Sequence, residues 1–216
     1  MAAKFDLTAK RATTLQLGRG TREVPSAIYV TEDFQSVFGD EALDEGESDQ
    51  INLVRRFKMK LGYHDLIYVR EQSYKANELI SKFLQNVRKQ LEEEVLHHTV
   101  EAAVLTVPVM FGPAQREELL SAAKVAGFTN VSLLDEPVAA GIAYCADHDT
   151  AQAMKFLVVD WGGGTYDLAL VERSVAGEVR VVPEFVAGLD SIGGENIDDD
   201  LWNFVSEGIK SLGSKG

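Results

Sequence analysis

Apolar residues recur every three or four positions from about Ser73 to Leu96. Leu79, Ile80, Phe83, Leu84, Val87, Leu91 and Val95 make one stripe, and lysines and glutamates fill the opposite face. That period predicts an amphipathic helix. Two more helices are marked by their ends. "GPAQREELLSAAKVAGF" has Pro113 at the first helical position and Gly127 just past the last, and "PVAAGIAYCA" starts at Pro137. Continuous apolar runs predict buried strands in "AAVLTVPVMF", ending near Pro108, in "NVSLLDEP", ending at Asp135-Glu136, and in "AMKFLVVDWG". "TLQLG", "AIYV" and "DLIYV" read as shorter strands. "YDLALVERSVAGEVRVVPEFVAG" reads as strands joined by a turn at Ala176-Gly177, and "GGENIDDDLWNFVSEGIKSLG" as a glycine-rich turn entering a last helix. The order strand, helix, strand, helix, strand predicts an α/β layer with a partly parallel sheet, extended by antiparallel hairpins.

Composition narrows the function classes. The 216 residues are 45% hydrophobic and 25% charged, enough for one medium domain or two small lobes. A net charge of −13 argues against a nucleic-acid partner, which would require a basic face. No apolar run approaches the ~20 residues of a membrane helix, so no membrane association is expected. The start, "MAAKFDLTAKRATT", lacks the apolar region of a secretory signal. Cys145 is the one cysteine, which excludes an internal disulfide and fits a cytoplasmic setting. It reads as a small buried hydrophobe. "DEALDEGESDQ" reads as a solvated loop or helix face. His97 and His98 are a poor metal pair, because adjacent side chains point apart.

The chemistry concentrates in "VVDWGGGTYDLAL". Asp160 closes one apolar strand, Gly162, Gly163, Gly164 and Thr165 follow, and a second strand starts at Tyr166. The turn is therefore a tight hairpin. Glycine permits positive φ and a close approach of backbone to ligand. Consecutive N–H groups in such a turn can bind phosphate oxygens, and Thr165 adds a hydroxyl donor. Asp160 and Asp167 are too negative for bare phosphate, so Mg²⁺ or its waters must lie between them. A hairpin that simply needs glycine remains the alternative. The turn is neither a Walker loop nor a dinucleotide fingerprint.

This segment resembles the second phosphate loop of the seventy-kilodalton heat-shock chaperones, whose ATPase superfamily includes actin and the sugar kinases. "VLTVPVMFGPAQREELLSAAKVAGF", "LLDEPVAAGIAY" and "IGGENIDDDLW" resemble further family segments in the family's order, and "TREVPSAIYV" and "FKMKLG" extend the match upstream. Together they span about residues 20–208. The resemblance implies an α/β fold of ribonuclease H-like, actin-like ATPase lobes, with a mixed sheet flanked by helices. Residues 1–150 would form the first lobe, with a small subdomain at about 27–72. Residues 151–190 would begin the second lobe, and 191–216 would lead into its outer subdomain. It implies ATP or ADP with Mg²⁺ as cofactors, and unfolded clients and co-chaperones as partners. It also implies roles for single residues. Lys58 and Glu136 would position or bind water near the γ-phosphate and Mg²⁺. Asp160 and Asp167 would hold Mg²⁺ through water, with Thr165 near the γ-phosphate. Gly162, Gly163 and Gly164 would cradle phosphate beside Gly193 and Gly194, and Pro108 and Arg116 would relay the nucleotide state.

The family's first phosphate loop, Asp-Leu-Gly-Thr-Thr, has no counterpart here. In "FDLTAKRATT", Asp6 and Leu7 are followed by Thr8 and Ala9, which lack glycine's close approach, and Asp6 lies too near Pro25 for the family's spacing. The adenosine pocket would lie beyond Gly216, so the resemblance implies a nucleotide domain truncated at both ends. Two readings follow: part of a chaperone's ATP-hydrolysing domain, or a non-catalytic interaction protein of the same fold. An actin-like or sugar-kinase-like ATPase is a third, disfavoured by the Pro108–Arg116 pairing and by "GGENIDDDLW". A single phosphate loop predicts weak ATP binding by this chain alone, together with exposed apolar surface.

Overall fold

The computed structural model describes residues 2–6, 11–17, 19, 22–148, 152–189 and 193–213. Thr8 and Ala9 lie outside the described residues. The chain divides into two compact units, Met1–Leu105 with Gly112–Leu133, and Thr106–Phe111 with Leu134–Gly216.

In the first unit, β1 (Ala2–Asp6) and β2 (Arg11–Leu15) pair as an antiparallel hairpin in which Asp6 faces Arg11. The strand expected at "TLQLG" therefore ends at Leu15 and begins earlier. β3 (Ala27–Val30) lies between β4 (Ser36–Phe38) and β5 (Leu53–Arg55), antiparallel to both. All four residues of β3 are buried. Helix α1 (Gly39–Gly46) covers this sheet, and Ala27, Tyr29 and Ala42 form a cluster with Val37, Leu43 and Leu53. β6 (Ile67–Val69) and β7 (Gln72–Tyr74) turn through Arg70 and Glu71, both with left-handed φ. Arg70 is tied down on several sides. Its Nε donates to the Val30 carbonyl at 2.9 Å, its Nη2 to Asp49 at 2.7 Å, and its N–H to Asn52 Oδ1 at 3.0 Å.

The long stripe becomes α2 (Ala76–Gln90), continued by a wider turn over Leu91–Leu96. The helix starts three residues later than its period predicts, because Ser73 pairs with Tyr68 in the β6–β7 hairpin. Glu78 Oε2 accepts the Lys75 N–H at 2.7 Å and satisfies an N–H that the helix start leaves open. α2 packs on α3 (Pro113–Val125), which begins at Pro113 as expected. Ala123, Ala126 and Phe128 form a core there with Leu84, Val100, Ala103, Leu105 and Val131. Gly127 ends α3 at φ +97°, and a Cβ on it would stand 1.9 Å from Arg88 Nη1. Arg88 uses that space to donate to Glu92 at 2.9 Å and to the Val100 carbonyl at 3.1 Å.

β8 (Ala102–Val107) and β9 (Asn130–Asp135) form a two-stranded sheet. In the second unit, β10 (Met154–Trp161), β11 (Tyr166–Arg173) and β12 (Val179–Leu189) form a separate antiparallel sheet, in that order. The strands expected in one layer are thus divided between two sheets. Short turns let β10, β11 and β12 pair at little closure entropy. α4 (Glu136–Asp147) covers one face of this sheet. Its Gly141 sits so close that a Cβ would meet Phe156, Val171 and Val179 at 3.0 Å each. α5 (Gly194–Gly213) follows β12. No helix among the described residues is long and apolar enough to cross a membrane.

Candidate functional site

The hairpin register places Asp160 directly opposite Asp167, and Trp161 opposite Tyr166. Opposed residues share one face of a sheet, so both carboxylates lie on the same side. Asp167 is 3% exposed and Asp160 is half-buried. Like charges directly opposite on a ladder are destabilising, so this pair is built at a cost to the fold. The neighbouring strand accommodates it. A Cβ on Gly188 would stand 2.8 Å from Asp167 Oδ1 and 2.6 Å from Met110 Cγ. Glycine at 188 leaves the carboxylate its room.

The turn between the acids is closed by the Gly162 N–H, which donates to the Thr165 carbonyl at 2.9 Å. No hydrogen bond among the described residues engages the N–H groups of Gly163 and Gly164. Gly163 is exposed and Gly164 half-buried. Among the described residues the left-handed glycines are Gly39, Gly62, Gly127 and Gly177, so this turn does not need glycine for positive φ. The close approach that demands glycine falls on Gly193, whereas a Cβ on Gly162 would meet Thr165 only at 3.7 Å. Gly193 is seated on the Gly163–Gly164 peptide, where a Cβ would stand 2.2 Å from the Gly163 oxygen and 2.6 Å from the Gly164 nitrogen. The Gly194 N–H donates to the Gly162 carbonyl at 3.0 Å. The Gly193 N–H in turn donates to Asn196 Oδ1 at 2.8 Å, capping the start of α5. Two glycine segments that are distant in sequence thus meet backbone to backbone.

Within the same unit, Glu136 is the first residue of α4, immediately after β9, and is half-buried. Pro108 is buried and accepts the Phe111 N–H through its carbonyl at 3.1 Å. Lys58 and Arg116 belong to the other unit. Lys58 lies in the single turn Phe57–Lys60, which is anchored by Phe57 against Phe83 with ring centroids 5.8 Å apart. Arg116 lies in the first turns of α3, its N–H bonded to the Gly112 carbonyl at 3.1 Å. The segments carrying these two cations are joined, because the Gly62 N–H donates to Glu118 of α3 at 2.9 Å. Among the described residues, no group of three or more His, Cys, Asp or Glu side chains could hold a metal ion. The Asp160–Asp167 pair fits Mg²⁺ in its other habit, carried on one or two carboxylates and several waters against a phosphate.

Sequence reasoning missed Gly188 and Asn196. Gly188 is an isolated glycine inside a strand pattern, which signals close backbone approach. Asn196 stands three residues after Gly193, the spacing of a capping box.

The family model for the Hsp70 protein matches residues 64–214. The chain is 32% identical over 191 residues to the chaperone protein DnaK of Mycoplasmopsis agalactiae, covering 88% of this chain and 31% of that protein. It is 31% identical over 191 residues to DnaK of Endomicrobium trichonymphae, with 88% and 30% covered. It is 32% identical over 208 residues to DnaK of Elusimicrobium minutum, with 94% and 33% covered. The chain belongs to the Hsp70 family. It spans about a third of the length of these curated relatives.

Proposed function

We propose that this chain contributes a phosphate-binding part of an ATP-binding domain, in a protein that couples Mg²⁺-ATP hydrolysis to the binding of unfolded clients and co-chaperones. The observation that carries this reading is the seating of Gly193 on the Gly163–Gly164 peptide, next to amide groups that no hydrogen bond among the described residues engages. Backbone donors held that way act on phosphate without having to reorganise. The residues act as follows. Gly163 and Gly164 present N–H groups to the β- and γ-phosphates of ATP or ADP, with Gly162 shaping the turn and Gly193 and Gly194 bracing it. Thr165 offers its hydroxyl to the terminal phosphate. Asp160 and Asp167 would hold Mg²⁺ through water, and the ion would neutralise charge on the phosphate oxygens. Glu136 and Lys58 orient the attacking water, and Pro108 with Arg116 passes the nucleotide state onward. Such phosphoryl transfer rests on positioning and electrostatics rather than covalent chemistry.

The chain is read as parts of two lobes, 1–150 and 151–190, with 191–216 leading into an outer subdomain. Calorimetric titration with Mg²⁺-ATP tests the reading. We expect weak binding, with Kd of order 1 mM, that Asp160→Asn and Thr165→Ala reduce without loss of helical signal. Heat unchanged by chelating Mg²⁺ or by Asp160→Asn would contradict the assignment of the two acids.

A further inference from the structure

Lys58 sits in a turn that its own residues hold weakly. A single 3₁₀ turn has poor hydrogen-bond geometry, and among the described residues no side chain caps the start of Phe57–Lys60. Left-handed backbone bounds the turn on both sides, with Arg56 at φ +58° before it and Gly62 at φ +76° after it. A residue with a side chain, such as Arg56, takes up that conformation at a cost and keeps it only where the surrounding structure determines it. The position of Lys58 is therefore fixed from outside the turn.

It is fixed at both ends. On the entry side Phe57 is buried and lies against Phe83 of α2. On the exit side Leu61 is fully buried, and its N–H donates to the Lys58 carbonyl at 3.2 Å. Gly62 then lies on the first turns of α3, where a Cβ would stand 2.7 Å from Gln115 Cγ. Its N–H donates to Glu118 Oε2 at 2.9 Å, across 56 residues of sequence. The receiving end of α3 is itself tied down, because Gln115 Oε1 accepts the Gly112 N–H at 2.7 Å. Of the two neighbouring glutamates, Glu117 is exposed and Glu118 is half-buried against Gly62. A carboxylate acceptor makes a stronger bond than a neutral one, and partial burial strengthens it further.

We propose that Glu118 is a positioning residue for Lys58. Its bond to Gly62 anchors the strained turn that presents the ammonium group, and fastens that turn to the helix that carries Arg116. This role rests on the reading of Lys58 as a group that orients the attacking water. Glu118 acts through the backbone of Gly62 and Leu61, so a shift of α3 is delivered to Lys58 along a continuous chain of bonds.

Amide hydrogen exchange and ¹⁵N spectra of the chain, compared between Glu118→Ala and Glu118→Gln, test this. Alanine is a better helix former than glutamate, so the first variant does not weaken α3 by propensity. In Glu118→Ala we expect exchange at Gly62 to be roughly tenfold faster, as local opening without global unfolding allows. The Lys58 amide resonance should move, and the urea midpoint should stay close to that of the unaltered chain. Glutamine keeps an acceptor oxygen at the same reach, so Glu118→Gln should restore both the slow exchange and the Lys58 resonance. With Mg²⁺-ATP added, Glu118→Ala should weaken the response of Lys58 and leave that of Gly163 and Gly164 in place. Unchanged Gly62 exchange in Glu118→Ala, or a fallen urea midpoint that accounts for the faster exchange, would overturn the proposal. So would a Lys58 resonance that stays where it was, or no rescue by glutamine. Exchange needs no nucleotide, so a chain that binds no ATP contradicts the phosphate reading, while Glu118 is still decided by the exchange and rescue results.

Discussion

A methyl group on Gly193 would stand 2.2 Å from a backbone oxygen, and neither partner is a side chain able to swing away. Gly193→Ala must therefore move the Gly162–Thr165 turn or the start of α5. We expect a loss of about 1–3 kcal/mol in denaturant unfolding, together with shifted amide resonances at Gly163 and Gly164. Gly188→Ala should act on Asp167 instead, displacing its carboxylate, and is expected to destabilise the second unit by a similar ~1–3 kcal/mol. Asp49 carries a separate, pH-linked expectation. Hydrogen bonds from the Asn52 amide, helped by the Tyr29 hydroxyl and Arg70, hold its carboxyl below the ordinary carboxylate range. A lowered native pKa adds stability that is complete above the unfolded value of ~3.9 and is lost as pH falls through the native one. Thermal unfolding followed from pH 6 to pH 3 should show that acid limb, and Asp49→Asn should flatten it. At this scale the sequence was half legible. The two acids flanking three glycines were visible, because the turn length alone sets their register. The reason for the glycines was not. Positive φ is a local property and was the natural inference, whereas the close approach falls on Gly193, some thirty residues away.

The elements with the clearest period and caps appear nearly where the pattern places them. α3 begins at Pro113 and ends before Gly127, and α4 starts at Glu136, one residue ahead of Pro137. The shifts have tertiary causes. α2 loses its first turn to the β6–β7 hairpin, and the 11-residue β12 shifts register against β11 between Ala169 and Val171, opposite the stretch that holds Pro183. Arg88 shows what periodicity hides. It reads as a polar-face residue of α2, yet it joins Glu92, the Val100 carbonyl and the Ala126 carbonyl at the α3 end. Arg88→Met should cost about 1–3 kcal/mol, through carbonyls and a carboxylate left without their donor. Urea unfolding monitored by α2 helicity reads this directly. Gly141→Ala tests the packing of α4 on the sheet. Three side chains would have to retreat from a Cβ at 3.0 Å, and we expect a lower midpoint with an unchanged slope.

On the scale of the molecule, family membership was legible because several segments recur in order, and no single motif had to carry it. The division into two units was less legible. The α/β alternation predicts one layer, while β8–β9 and β10–β12 form separate sheets. Nothing in a strand's own pattern says which edge it will join. The account of function rests on one claim, that the paired glycine segments form a phosphate cradle. The most direct test is a titration of uniformly ¹⁵N-labelled chain with ATP, with and without Mg²⁺, followed by amide resonances. The account predicts that Gly163, Gly164, Gly193 and Gly194 shift first and most, in a Mg²⁺-dependent way, and that Asp160→Asn weakens the response. Unmoved resonances at these four glycines while nucleotide shifts other parts of the chain would contradict it.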